Sequence, residues 1–236
     1  MTTKRKGPKV LVLAAHPDDE VIGAGGTIRK LADQGAAIRL VVFSAGAEGY
    51  TRAAEKATIV ARRARETQAV CKVLGIRECH NEGWLDWNLK VDNAGYHAVI
   101  RHIREFRPDL VFTHRHGDYN DHKVMHDLAV EGWFHAAIPC AMDLGPVWKH
   151  VPLYEFEVLE PMAEPSVVVD ITGTYAAKVK AMEAYGSQHE LVGGVFQMLE
   201  GRALERGHLI QACYGEAFRR VTYRPRKVTD VASLLE

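Results

Sequence analysis

The densest chemistry in this chain lies in His16-Pro17-Asp18-Asp19-Glu20, one imidazole followed across a proline by three carboxylates. The stretch follows the apolar run Lys9-Val10-Leu11-Val12-Leu13, short and nearly continuous, which predicts a strand buried on both faces. Carboxylates at the mouth of such a strand are costly to desolvate unless they are paired, hydrated or bound to a cation. Pro17 fixes the turn and pushes His16 toward extended backbone, so His16 and Asp19 converge on one point with Asp18 beside it. One imidazole nitrogen and one carboxylate oxygen suit zinc, which at catalytic sites takes three protein ligands and keeps a fourth position for water. The stretch therefore supplies two-thirds of a metal site and a spare carboxylate. The competing expectation is a helix N-cap, with Asp18 or Asp19 capping a helix that begins near Val21 and Glu20 favoured by the dipole in its first turn. Capping leaves His16 unexplained and can coexist with ligation.

A second cluster, His114-Arg115-His116-Gly117-Asp118-Tyr119-Asn120-Asp121-His122, follows another buried run, Asp109-Leu110-Val111-Phe112-Thr113. If both strands are parallel, the two clusters share one sheet edge. His122 opens a helix and is the natural third ligand; Asp121 beside it can accept from a ligand histidine and fix its tautomer. Between them, Asn81-Glu82-Gly83-Trp84-Leu85-Asp86-Trp87-Asn88 reads as a loop whose aromatic rings and carboxylate suit a polyhydroxylated ligand, although Trp84 and Trp87 serve equally well as core anchors.

The elements that must hold these residues alternate. Val21 to Gln34 has helical spacing and a stop at Gly35; Ile38 to Ser44 is a strand that runs into the glycine-punctuated loop 45–50. A long helix spans Ala57 to Leu74 and closes at Gly75. Its Arg62-Arg63-Ala64-Arg65-Glu66 segment reads on its own as a solvated face, with Arg63 paired to Glu66. Ile76 to His80 is a weak strand, Tyr96 to Phe106 a helix, and 133–165 an irregular, proline-rich segment. Later strands fall at Leu153 to Val158 and Val167 to Asp170, a Thr-capped helix at Thr172 to Tyr185, and a last amphipathic stretch at Phe218 to Tyr223. Gly23-Ala24-Gly25-Gly26 lies inside the first helix rather than at the strand-to-helix turn, which argues for close helix–sheet packing and against a dinucleotide loop.

Composition bounds the function. The 236 residues suffice for one large α/β domain, and 47% hydrophobic with 25% charged residues is ordinary for a globular protein. A formal net charge of +0 gives no reason to expect a nucleic-acid partner. Cys71, Cys79, Cys140 and Cys213 form no C-x-x-C pair and read as free thiols of a reducing compartment. The basic start is followed by an apolar run too short for a signal peptide or membrane span, so a cytoplasmic protein with no membrane partner is expected.

With both clusters in place, the chain resembles the PIG-L/LmbE-like family of zinc-dependent N-acetylglucosaminyl deacetylases. The resemblance is carried by Ala15-His16-Pro17-Asp18-Asp19-Glu20, the Arg63-x-x-Glu66 helix ending in Leu74-Gly75, Asp121-His122, and the segment from Lys180 to Ser187-Gln188. It implies a Rossmann-like three-layer α/β/α fold with a mainly parallel sheet, here a single domain over 1–236 with residues 1–8 flexible. It also implies hydrolysis of an N-acetyl group on a small amino-sugar conjugate, in a chain that can form homo-oligomers. By the same resemblance His16, Asp19 and His122 hold Zn2+ or another divalent metal, Asp18 is the general base, and Arg63 and Asp86 contact the sugar. Many relatives carry a histidine three positions before the second ligand histidine, where it stabilises the oxyanion and protonates the amine; here that position is Tyr119. Tyr119, His116 or a residue from elsewhere, such as His189, is then the candidate for that role.

Overall fold

The computed structural model describes residues 7–222. Residues 1–6 of the expected flexible leader, and Tyr223 at the end of the last predicted stretch, lie outside the described residues. Five strands run parallel: β1 (Lys9–Ala14), β2 (Ala37–Ser44), β3 (Glu78–Trp84), β4 (Leu110–His114) and β5 (Leu153–Phe156). Their order is β3-β2-β1-β4-β5. Beyond β5 come β7 (Gly215–Arg220) and then β6 (Val167–Asp170), with β7 antiparallel to both neighbours. One face is covered by α1 (Asp19–Asp33), α2 (Ile59–Leu74), α5 (Tyr175–Ala184) and α6 (Val195–His208), the other by α3 (Asn93–Phe106) and α4 (Asn120–Ala136). The mainly parallel three-layer architecture is the expected one.

The continuous apolar run of β1 has a direct cause. Val10, Val12 and Ala14 pack into one core while Leu11, Leu13 and Ala15 pack into the other, and all six are fully buried. From β1 the chain proceeds through α1, β2 and α2 to β3 on one side, then crosses by α3 to β4 on the other side of β1. The order of winding therefore reverses between β1 and β4, which opens a crevice at their carboxyl ends. Both clusters of polar residues leave the sheet at that crevice.

Several elements differ from the sequence expectation. β3 starts later than predicted and runs through to Trp84, inside the segment read as a loop. It is an edge strand paired only with β2 and has no fully buried residue, so it carries none of the apolar alternation that marks inner strands. α6 was not anticipated; its buried positions Val195, Leu199 and Ala203 have helical spacing, but glycines before and within it dilute the pattern. The Phe218 to Tyr223 stretch begins inside a strand, β7. Thr174 stands at the start of α5 without capping it, because its hydroxyl donates to Gly26 O and Ile171 O.

The glycine cluster in α1 does what close packing requires. A Cβ on Gly23 would sit 2.3 Å from the Phe156 ring, and one on Gly26 would sit 2.8 Å from Ile171. Gly23→Ala should therefore lower the free energy of unfolding by about 1–3 kcal/mol in urea, since overpacking outweighs the gain in helix propensity. Gly201→Ala in α6, where nothing lies within 4 Å, should instead raise stability by about 0.5–1 kcal/mol.

Candidate metal centre and active site

β1 ends at Ala14, and the next four residues lead into the first turn of α1, which begins at Asp19. Asp18 occupies the N-cap position with φ 120°, a left-handed conformation that costs a non-glycine residue of order 1–3 kcal/mol. Neither aspartate caps the helix with its side chain. Asp18 N–H donates to Glu20 Oε2 at 3.1 Å, and Asp19 Oδ2 accepts from the His16 N–H at 2.7 Å. Glu20 is itself held by the Tyr185 hydroxyl at 2.7 Å, and burial pushes its carboxyl up to about 8 against that bond. The strained turn is thus tied from both sides, and Asp18 and Asp19, unlike Glu20, border the crevice at the positive end of the α1 dipole.

His16, Asp19 and His122 each offer one donor atom, and these atoms lie within 4.8 Å of one another. His16 Nδ1 is 3.5 Å from Asp19 Oδ2, and His122 Nε2 is 3.2 Å from Asp19 Oδ1. Donors about 2.0–2.1 Å from one tetrahedral ion must be roughly 3.3 Å apart, so the spacing suits a zinc-sized cation. His122 Nε2 is buried without a hydrogen-bond partner among the described residues, as expected for an atom whose partner is a metal. The far nitrogens are both engaged: His16 Nε2 lies 3.1 Å from Asp121 Oδ2, and His122 Nδ1 lies 3.0 Å from Asp118 Oδ2. Each pairing leaves the remaining ring nitrogen aimed at Asp19.

The electrostatics favour positive charge at this point. Burial alone would lower both histidines, but Asp121 and Asp19 lift His16 to about 10, and Asp19 and Asp118 lift His122 to about 9. Burial would raise Asp19, yet His122 and His114 beside it hold it well below the carboxylate range. Asp18 behaves oppositely: burial pushes it up to about 7, with Arg63 pulling against the shift. His114, the last residue of β4, is held down to about 4 by burial and by His122. Its Nε2 accepts from Ala15 N at 3.0 Å, which fastens β4 to the start of the turn.

Arg63 is only 3% exposed and does not pair with Glu66. Glu66 instead accepts from Arg62 at 3.1 Å and from Ser187, and Arg63 turns inward. Its Nη2 donates to Pro17 O and lies 3.5 Å from Asp18 Oδ2. Loop 45–49 lies directly over it, so that a Cβ on Gly49 would sit 2.2 Å from Nη1. Asp86 secures the same loop, accepting from Ser44 Oγ, Gly46 N and Glu48 N. Both residues line a cleft of about 320 Å³ that also contains His16, Asp18, Asp19 and His122.

Of the three candidates for the missing histidine, Tyr119 is the one in this cleft. Its Oη is 3.1 Å from His16 Nδ1, and burial with Asp19 and Asp18 nearby raises its pKa, which keeps it a hydrogen-bond donor. His116 packs edge-on against His126, and His189 bonds to Met182 O; neither lines the cleft. The two tryptophans separate: Trp84 packs edge-on against Phe43, whereas Trp87 is 74% exposed at the cleft rim. Sequence reasoning assigned nothing to Asp118 and His114. The readable signal for Asp118 was its i,i+4 spacing to His122.

A family model described as PIG-L, GlcNAc-PI de-N-acetylase, matches residues 11–133. The 1D-myo-inositol 2-acetamido-2-deoxy-alpha-D-glucopyranoside deacetylase 1 of Frankia casuarinae is 27% identical over 82% of this chain and 84% of its own length. N,N'-diacetylchitobiose deacetylase from Pyrococcus horikoshii superposes with a TM-score of 0.84 at 27% identity, over 95% of this chain and 88% of that one. The 4-carboxy-2-hydroxymuconate hydratase GalB from Pseudomonas putida superposes with a TM-score of 0.78 at 25% identity, over 94% of this chain and 100% of that one. The match from Leu11 to Trp133 spans more than half of the chain and both stretches that build the donor cluster, and the chain belongs to the PIG-L, GlcNAc-PI de-N-acetylase, family.

Proposed function

We propose that this protein is a zinc-dependent amide hydrolase that removes the N-acetyl group from a GlcNAc-type amino sugar. The observation that carries the reading is a donor set of His16, Asp19 and His122 with a non-ligating carboxyl, Asp18, beside it. A divalent cation held by those three residues would polarise the amide carbonyl and lower the pKa of water. Asp18, buried beside the donor set without belonging to it, takes the proton of the attacking water as the new C–O bond forms. The same carboxyl hands that proton to the amine nitrogen as the C–N bond breaks, leaving acetate and the free amine. Arg63 orients Asp18 through its 3.5 Å approach and fixes the preceding turn through Pro17 O. Arg63 and Asp86 are the proposed sugar contacts, and Asp121 holds the tautomer of His16.

Tyr119 is the proposed hydrogen-bond donor to the developing oxyanion. Tyr119→Phe should lower kcat by about 10²–10³-fold while bound metal and KM stay near wild type, measured by steady-state kinetics alongside metal analysis. An unchanged kcat would remove Tyr119 from the reaction.

The hydratase relative raises a second reading, addition of water to a carboxylate-bearing substrate. The cleft favours the first: Arg63 is the only Lys or Arg among its described lining residues, set against Asp18, Asp19, Glu48 and Asp86. A non-catalytic metal or sugar binder would have no use for Asp18. Among the described residues no helix is long and apolar enough to cross a membrane. With four free cysteines, the cytoplasm is the proposed compartment, and a small amino-sugar conjugate rather than a nucleic acid the proposed ligand. The test is release of acetate and amine from a panel of N-acetylglucosamine derivatives by zinc-loaded and metal-stripped protein. Release only by the loaded protein is expected; release that persists without metal would overturn the mechanism.

A further inference from the structure

This inference rests on the deacetylase reading and concerns what the cleft accepts beyond the acetamido group. The two aspartates that orient the ligand histidines also fix the two rims of the cleft. Asp121 Oδ2 accepts from the Trp87 N–H at 2.8 Å, and Asp118 Oδ2 accepts from the Leu159 N–H at 3.2 Å. Both rims are therefore held in register with the donor cluster, and Trp87 is held there at φ 62°. What they present is apolar. Leu159 is 42% exposed and Leu191 45%, and with Val192 and the buried Ile22 and Val158 they make up the apolar wall of the cleft that Trp87 also lines.

Charge in the cleft points the same way. Its described lining holds Asp18, Asp19, Glu48 and Asp86 but only one Lys or Arg, Arg63, whose Nη2 lies 3.5 Å from Asp18 Oδ2. Lys56 reaches Glu48 at 3.3 Å but is not part of the lining. Away from the donor cluster, an anionic aglycone at the rim would lose water and meet Glu48 and Asp86, with no lining Lys or Arg except Arg63 to offset them. We propose that the cleft selects an uncharged amino-sugar glycoside with an apolar, alkyl or aryl aglycone. The aglycone sits against Trp87 and the Leu159–Leu191 wall, and aglycones bearing carboxylate or phosphate are rejected.

The test uses calorimetric titration of the full-length, zinc-loaded Asp18→Asn protein, which keeps the ligands and binds without turning over. The probes are phenyl N-acetylglucosaminide and its carboxyphenyl counterpart. The phenyl glycoside should bind at least about tenfold more tightly, the discrimination expected from apolar burial plus an unpaired anion. Leu191→Asp should weaken both glycosides without narrowing that margin, whereas Leu191→Lys should bring the carboxyphenyl glycoside to equal or tighter binding; unchanged zinc content confirms that the variants fold. Equal binding of the two probes, tighter binding of the anionic one, or no binding of either overturns the proposal. Failure of wild-type enzyme to release acetate from either glycoside, with the binding order intact, overturns the deacetylase reading instead.

Discussion

Asp18→Asn is expected to lower kcat by about 10²–10⁴-fold while stoichiometric zinc binding is retained. The expectation follows from the division of labour at the β1–α1 turn. His16, Asp19 and His122 supply the converging donor atoms, and Asp18 supplies none of them. Asn is the informative replacement because the position has φ 120°, where an alanine would add backbone strain to the loss of the carboxylate. Asn keeps the backbone N–H that donates to Glu20 and the contact with Arg63, but it cannot take a proton from water. The paired readouts are steady-state kinetics on an N-acetylglucosaminide and metal content of the same preparation. Turnover that survives would remove Asp18 as the base, and zinc that is lost would make it a ligand.

That turn was legible in the sequence because its parts are contiguous. A fully buried strand followed at once by His-Pro-Asp-Asp presents the conflict between apolar burial and charge on one line, and the His114 to His122 stretch does the same after β4. Inner strands and their helices were readable for a related reason: burial on both faces of β1 forces unbroken apolar runs, and Gly35 and Gly75 stop α1 and α2 with left-handed backbones. β3 was legible only as a weak strand at Ile76 to His80, and its second half was read as a loop, because this edge strand has no fully buried residue to mark it. The inward turn of Arg63 was hidden because a helix-borne Arg three residues before a Glu reads as an ordinary surface pair. Only the packing of α2 against loop 45–49 and Pro17 shows which way its guanidinium points. The apolar wall was hidden for a longer-range reason, since Ile22, Leu159 and Leu191 meet only after the chain has crossed the sheet. Periodicity reports each element's own buried face, not which distant residues will share a cleft.

His122→Ala should weaken zinc binding by well over 100-fold, beyond the roughly 10–100-fold expected when only an outer partner of a ligand is changed. The contrast is available within one residue pair. Asp118 holds His122 Nδ1 at 3.0 Å and contributes no atom to the donor group, so Asp118→Asn should fall in the milder range. Competition against a chromophoric chelator measures both variants on one scale. A thermal readout separates lost affinity from lost fold, because a ligand that binds only the native state raises Tm as its concentration exceeds Kd. Wild type should gain Tm on addition of zinc, Asp118→Asn should need more zinc for the same gain, and His122→Ala should show none in that range. His122 stands at the start of α4 rather than in its packed middle, where Met125, Leu128 and Ala129 fill the core. The metal-free variant should therefore keep a cooperative unfolding transition near that of metal-free wild type. A His122→Ala protein that bound zinc as tightly as wild type would displace the centre from the mouth of β1 and β4. The same Tm response to zinc in wild type and variant would lead to the same conclusion without reference to catalysis.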